Sequence, residues 1–508
     1  MILLLPWIPI VTAFLMLFIC DKKETLQKAL AIGSCAICSA ITFYLFSQFD
    51  RNVSGFQFAQ SCDWWPAFGM HYQVGLDGIN MTLCLLHALV SLAGAFVSCW
   101  PEPNGSGTLG ETGSFSLRRP KERLKKYLFF YLILTGAIYG VFTVTDIFLL
   151  YVFYELTLIP LYPMIGIWGS KNKEYGAMKL TLFITTGAVL SLFGIMLLYR
   201  QTGLSTFDYA VIREYLAANP LSADFQRTVA GLFLVGFGVM ASMWPLHSWS
   251  PIGYAAAPTS VSMVHAGVLK KMGPYLILRL AAGLLPAGMA AWSFPLSILA
   301  TIGILYAGYA AIKQQDLKFM VGFSSVSHMG YILLGMAAMT PASLSGVVLL
   351  MFSHGVMAAA TFALIGIIYE QAHARGVKDF GGLSRQIPFV AICFILACMA
   401  SLGLPGFSNF VSELLVFTGS WKSFPVSVSL AIFGVLITSI YLLRAIQSMC
   451  FGVPNPRWND LKDAKTFAEK FPFILLIGAL IVFGVWPQGL LNIIKPAVLT
   501  MTTAGATP

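Results

Sequence analysis

Charge is what this chain most lacks. Of its 508 residues only 10% are Asp, Glu, Lys or Arg, against 57% hydrophobic, where a soluble domain carries about 25% charged residues. That shortage excludes a soluble enzyme and a disordered chain, and a mean hydropathy of +0.78 agrees. Cysteine is also sparse, at nine. The one CxxC, Cys35 and Cys38, lies inside an apolar run, where a buried thiol acts as a small hydrophobe. No disulfide scaffold and no repeated metal pattern can be built from this set. There is no P-loop, no paired Cys/His set and no haem attachment motif. What remains is a polytopic membrane protein, since one helical crossing needs about 20 apolar residues.

Apolar runs predict about fourteen helices, near 2–20, 27–48, 79–99, 127–145, 147–168, 175–200, 228–252, 256–281, 292–312, 317–338, 343–370, 387–424, 427–450 and 471–493, numbered spans 1 to 14. The first run lacks a basic n-region and is followed by Asp21, Lys22 and Lys23, which reads as a first span and not a cleaved signal peptide. The net charge of +10 comes from 31 Lys+Arg against 21 Asp+Glu. In this setting loop cations set topology and meet anionic lipid; they do not point to nucleic acid. Alternate loops carry Lys22, Lys23 and Lys28; Arg118 to Lys126; Lys171, Lys173 and Lys179; Lys313 and Lys318; Arg375, Lys378 and Arg385; and Arg444, Arg457, Lys462, Lys465 and Lys470. These are 22 of the 31, against seven on the other side (Arg51, Arg200, Arg213, Arg227, Arg279, Lys422 and Lys495). The split predicts basic loops in the cytoplasm and both termini outside it, in a multi-pass inner (plasma) membrane protein.

The longest loops are 49–78 and 100–126, and neither is long enough to be a domain. Gly105, Gly107 and Gly110 spell GxGxxG, but no strand precedes them, so they read as a flexible turn. Gly236, Gly238 and Ala241, a looser match inside a helix, carry no more meaning.

Two acids and two lysines fall inside spans: Glu155, Glu413, Lys270 and Lys271. Lys318 opens another span. His87, His247, His265, His328 and His354 also lie within spans. A charge at the bilayer centre costs about 2.5–3.5 kcal/mol on insertion scales, so such residues usually face an interior polar path or a structural ion pair. Desolvation pushes acids and amines toward their neutral forms, so a row of Glu, Lys and His bridged by water can pass protons and respond to a neighbouring charge. For His87 a neutral imidazole bonded to a neighbouring helix is an equally good reading.

Two spans look broken, at Pro245 in 240-MASMWPLHSW-249 and at Pro405 and Gly406 in 399-MASLGLPGFSNFVSELL-415. Proline removes a backbone donor and clashes one turn back. Broken helices at membrane depth are tolerated where they line a polar cavity, and a matching pair suggests a transporter-like core of two related halves.

The stretches 153-FYELTLIPLYPMIGIWG-169, 316-DLKFMVGFSSVSHMGYILLG-335, 353-SHGVMAAATFALIGIIYEQAHAR-375 and 403-GLPGFSNFVSELLVFTGS-420, with 74-VGLDGINMTL-83, resemble one family closely. It is the antiporter-like membrane chain of type M in the proton-pumping NADH:quinone oxidoreductase, respiratory complex I. The resemblance runs from about residue 70 to 450. It implies an all-α membrane fold of about fourteen transmembrane helices, with two inverted five-helix repeats and broken helices 7 and 12. The implied divisions are 1–126 (three spans and loops), 127–281 (first repeat, helices 4–8), 282–450 (second repeat, helices 9–13) and 451–508 (a loop and helix 14). It also implies no cofactor in this chain: FMN, iron–sulfur clusters, NADH and quinone would belong to partner subunits. The implied neighbours are the sister antiporter-like chains L and N. The end at Pro508, with no long lateral helix, favours M over L.

By this resemblance Glu155 matches the helix 5 glutamate, Lys271 the helix 8 lysine, His328 and His354 relay positions in helices 10 and 11, and Glu413 the helix 12 glutamate. His247 matches the histidine after the helix 7 break. Lys318 lies in the Asp-Leu-Lys motif, followed here by Phe319 where the family often has arginine. One departure bears on mechanism. The family usually has a lysine in helix 7 paired with the helix 5 glutamate, and Met240 stands there. Either Lys270 or His265 replaces the missing positive partner, or Glu155 is protonated and structural. The alternative functions are a core chain of a cation/proton antiporter or of a hydrogenase-linked or other variant ion-pumping complex, and a structural spacer in the membrane arm.

Overall fold

The computed structural model describes residues 1–65, 69–100 and 121–503. Gly105, Gly107, Gly110, Arg118 and Arg119 lie outside the described residues. The chain is built almost entirely of helices. After a short 3-10 turn come α1 (Trp7–Leu17), α2 (Glu24–Ser47) and α3 (Gly78–Ser98). Then follow α4 (Lys121–Thr143), α5 (Ile147–Leu156), α6 (Leu158–Trp168), α7 (Lys173–Thr202), the short α8 (Tyr209–Ala218), α9 (Ala223–Met240) and α10 (Trp249–Ala256). The next span alternates α11 (Thr259–Val264), a π-turn (His265–Leu269), α12 (Lys270–Leu276) and a second π-turn (Ile277–Ala282). The remainder is α13 (Pro286–Lys313), α14 (Leu317–Ala338), α15 (Pro341–Ala372), α16 (Leu383–Gln386), α17 (Pro388–Ser401), α18 (Ser408–Ser420), α19 (Pro425–Cys450), α20 (Phe467–Val485) and α21 (Gln488–Thr503).

Ten helices among the described residues are long and apolar enough to cross a membrane, and Ile2–Leu17 and Pro388–Ser401 are shorter apolar helices. Helix starts follow local chemistry. Asp77, Asp146 and Asp316 cap α3, α5 and α14 by accepting backbone N–H groups. Thr340 and Ser343 close a reciprocal capping box at α15, where Pro341 takes the first helical position. The most apolar window of α15 is buried throughout, and α3 and α14 are nearly so, which makes these three the inner helices. By contrast α2, α7, α19 and α20 leave most of their surface outward.

Both proline-marked spans are interrupted. Between α9 and α10 the backbone of 241–248 leaves the helix, Ser242 adopts φ +57°, and the Trp249 indole donates to the Val239 carbonyl across the gap. Between α17 and α18 the break at 402–407 contains Gly403 and Gly406 at φ +69° and +103°. The runs 228–252 and 387–424 are therefore each two helices, interrupted at Pro245 and Pro405 as the sequence predicts.

The all-α expectation needs one correction. Part of the loop 49–78 is an antiparallel hairpin of β1 (Gln57–Trp65) and β2 (Met70–Leu76), with Cys62 opposite Tyr72 and Asp63 opposite His71. Helices α8 and α21 were also not foreseen: their polar faces keep them out of a hydropathy scan. The carbonyl of Thr500 in α21 accepts from Arg213 of α8.

Candidate functional site

The buried charges gather where the helix with two π-turns crosses α14 and α15. The crossing is close because two glycines meet there. A Cβ at Gly355 would stand 2.5 Å from the Gly267 carbonyl oxygen, and one at Gly267 would stand 3.0 Å from that of Gly355. Gly355 follows His354, and Gly267 precedes the lysine pair by one turn.

Lys270 and Lys271 are fully buried. The Lys270 ammonium donates to the hydroxyls of Ser250 on α10 (3.2 Å) and Ser325 on α14 (3.3 Å), and lies 5.5 Å from the centre of the Tyr254 ring. Lys271 donates to the Ala266 carbonyl inside the π-turn. This turn leaves carbonyls free of the ordinary α ladder, and one of them takes the amine. His265 is held between the rings of Trp249 (5.3 Å, stacked) and Tyr254 (5.1 Å, edge-on), with neither nitrogen bonded to protein. His247, in the first break, packs on Tyr306 and lies within electrostatic range of Lys270.

From the lysines the cluster continues into the second half. Lys271, Lys270 and His328 all lie within electrostatic range of His354, whose ring centre is 5.0 Å from that of His328. His328 Nδ1 faces the Ser324 carbonyl at 2.9 Å, and Nε2 faces the Ser401 carbonyl at 3.2 Å and Glu413 Oε1 at 3.7 Å. Gly403 makes room for this carboxylate, since a Cβ there would stand 2.8 Å from Glu413 Oε2. One turn before Glu413, Asn409 is fully buried with neither amide atom bonded to protein. A small cavity lined by Ser324, Ser325, His354, Thr361 and Ser401 lies beside the histidines. The Tyr441 hydroxyl donates to Ser324 at 2.7 Å next to it.

Two of the residues expected in one path, Lys318 and Glu155, lie elsewhere, and His87 faces a neighbouring helix. Lys318 is buried, and its amine donates to the Ala257 carbonyl at the α10–α11 corner. It shares that end of the bundle with the Arg375–Asp316 ion pair at 3.0 Å and with Glu370, which accepts from Thr259. His87 faces the Thr135 carbonyl of α4 at 3.0 Å and packs edge-on against Tyr139. Glu155 is only half-buried. Tyr151, one turn earlier, interacts with its carboxylate, and among the described residues no ion pair reaches it. Lys270 is held by Ser250 and Ser325, and His265 by the rings of Trp249 and Tyr254. Met240 is fully buried at the end of α9.

Sequence reasoning missed the hydroxyl partners Ser250, Ser325, Ser324 and Tyr441. A signal was present: Lys318, Ser325 and His328 recur at intervals of seven and three, one face of α14. It also missed the ion pair of Asp77 and Arg279. The two are buried and bidentate at 2.5 and 2.6 Å, with Phe56, Tyr209 and Tyr275 around the guanidinium. Arg279 had been placed among the loop cations. Among the described residues no group of three His, Cys, Asp or Glu side chains is placed to hold a metal ion.

Residues 144–438 match the family model described as NADH:quinone oxidoreductase/Mrp antiporter, transmembrane. The chain is 30% identical over 500 residues to NADH-quinone oxidoreductase subunit M of Rickettsia conorii, covering 97% of this chain and 96% of that one. It is 33% identical over 505 residues to F(420)H(2) dehydrogenase subunit M of Methanosarcina mazei, covering 96% and 95%. Among solved structures it is similar to a chain of respiratory complex I from Thermus thermophilus, with a TM-score of 0.87, 25% identity and full coverage of both chains. A chain of the Mrp complex from Dietzia shares the fold, with a TM-score of 0.84, 18% identity and coverage of 100% and 99%. With more than half of its length inside the family model and a relative 30% identical along nearly the whole of both chains, this chain belongs to the NADH:quinone oxidoreductase/Mrp antiporter membrane family.

Proposed function

We propose that the chain is an M-type antiporter-like subunit of a proton-translocating NADH:quinone oxidoreductase, passing protons along its buried Lys, His and Glu side chains in response to quinone reduction elsewhere in the complex. The observation that carries this reading is the run Lys270, Lys271, His354, His328 and Glu413 through the centre of the bundle. The last two steps are short, 5.0 Å between the ring centres of His354 and His328 and 3.7 Å from His328 to Glu413, and buried polar atoms without protein partners, as on His354, His265 and Asn409, are usually satisfied by ordered water. Lys271 and His354 hold the middle of the path, and His328 hands the proton to Glu413 on the exit side. Lys270 and His247 lie toward the first break, His265 is their aromatic-walled neighbour, and Lys318 controls charge at the far corner. A positive charge on Lys271 disfavours one on His354, so the two exchange protonation instead of sharing it.

The same reading takes the ten long spans, the two broken ones, the π-containing span and the N-terminal helix as fourteen crossings in two inverted repeats. It places the basic loops in the cytoplasm and both termini outside, in an inner membrane. Sister chains L and N are its neighbours, and the redox groups belong to other subunits.

The test is proton translocation per electron in inverted membrane vesicles. Lys271→Ala and His354→Ala each lower the proton yield while quinone reduction continues; unchanged yield in both overturns the relay. Lys270→Ala and His265→Ala measure whether either stands in for the missing helix 7 lysine. The similarity to a subunit of F(420)H(2) dehydrogenase favours one second reading, a variant complex with another electron donor. Purifying the intact complex and assaying electron donors distinguishes the two.

A further inference from the structure

The middle of the bundle holds bases in excess. Lys270, Lys271, His247, His265, His328 and His354 gather there with one acid, Glu413, and that acid faces His328 at the far end. Among the described residues no carboxylate pairs with either lysine. The two amines belong to consecutive, fully buried residues and lie within electrostatic range of each other. Two like charges so placed, with no acid between them, oppose each other's ionisation. Their settings differ. Successive residues of a helix point about 100° apart. Lys270 reaches across to Ser250 on α10 and Ser325 on α14. Lys271 turns back to the Ala266 carbonyl, and it acts more strongly than Lys270 on His354.

A hydroxyl suits an amine in both of its states. It accepts from an ammonium and donates to a neutral amine, so Ser250 and Ser325 can hold Lys270 with or without its proton. The face of Tyr254, 5.5 Å away, favours the charged form. The Ala266 carbonyl can only accept, so it holds Lys271 as a donor. We infer that Lys270 and Lys271 hold a single proton between them, and that Lys270 is a second proton-carrying station, loaded beside Ser250 and emptied to Lys271. In that step an N–H bond of the Lys270 ammonium breaks and one forms on the neutral Lys271 amine. The total charge of the pair is unchanged, and its position moves toward His354. Because α9 ends in the apolar Met240, both stations sit side by side on one helix. The inference rests on the relay proposed above and adds an occupancy rule to it: one proton for two lysines.

The test is the proton yield per electron in inverted vesicles carrying the intact complex, with assembly followed on a native gel. Arginine stays protonated in proteins. Lys270→Arg therefore fixes a charge beside Lys271, and its yield is expected to fall several-fold below that of Lys270→Met, which leaves Lys271 to carry protons alone. A purely structural ammonium at this position gives the reverse order, with arginine near the parent and methionine worst, and that result would overturn the inference. Ser250→Asp is a smaller change in the same sense. An acid in place of the hydroxyl pins the proton on Lys270, and the yield is expected to drop with assembly intact. A yield equal to the parent's in Ser250→Asp overturns the inference even where Lys270→Arg does not assemble. The relay and the shared proton fail separately. Unchanged yield in Lys271→Ala and His354→Ala removes the relay. Lowered yield in both, with Lys270→Arg pumping like the parent, removes only the sharing.

Discussion

Gly267 and Gly355 meet backbone to backbone where the π-containing span crosses α15, leaving no room for a side chain on Gly355 and little on Gly267. This contact decides how near Lys271 comes to His354. A methyl group at Gly355 would press on the Gly267 carbonyl and force the helices apart. Gly355→Ala is expected to destabilise the chain by about 1–3 kcal/mol, the usual cost of overpacking. Thermal unfolding of the purified complex measures this, and a stability equal to the parent's contradicts the packing argument.

The His328–Glu413 contact at 3.7 Å joins α14 to the second half of the broken helix. Glu413→Gln preserves size and hydrogen bonding but removes the acid. Proton translocation is expected to fall by about 10²-fold or more, in the range that acid–base groups contribute, with assembly unchanged. Vesicle pumping beside a native gel checks both halves of this expectation.

Asp77 and Arg279 give a test unrelated to proton movement. Removing one member of a buried pair strands the other, at a cost of about 3–5 kcal/mol. Arg279→Met is therefore expected to be severely destabilising. Adding Asp77→Asn, which can still cap α3, should recover much of the loss. Denaturant unfolding of the single and double variants measures the coupling, and additive losses would refute it.

Gly403 combines a left-handed backbone with contact to Glu413. Gly403→Ala is expected to cost about 1–2 kcal/mol from the backbone conformation and to displace the carboxylate as well. The pumping yield of this variant should fall below that of Gly406→Ala. Gly406 also has positive φ, but nothing lies within 4 Å of its missing Cβ.

Much of this arrangement was legible in the residues. Pro245 and Pro405 marked the two breaks because proline removes a backbone donor and clashes one turn back, although Pro163, Pro295 and Pro472 sit inside unbroken helices. Lys270 and Lys271 declared themselves buried because so few charges interrupt the runs. Glu155 was read as one of the same inner set, yet it is only half-buried, with Val152 and Ile159 exposed one turn to either side and its Oε1 buried without a protein partner. In a membrane chain both the lipid side and the protein side of a helix are apolar, so periodicity alone cannot tell them apart. The hairpin at 57–76 was read as loop because its strands are short and mix polar with apolar residues, leaving no long apolar run. The hydroxyl partners of Lys270 come from two helices 75 residues apart in sequence, Ser250 and Ser325, and only the fold brings them to one amine.

The π-turn at His265–Leu269 has a consequence for direction. Such a turn takes up one residue more than an α-turn, so the helix beyond it is out of phase with the helix before it by about 100°. Thr259–Val264 and Lys270–Leu276 therefore cannot share one face in the way a single uninterrupted coil would have them. With the extra residue taken out, both amines would swing away from Ser325 and His354 toward different neighbours. Where these two lysines aim is set by a dislocation in the backbone winding as much as by their identity.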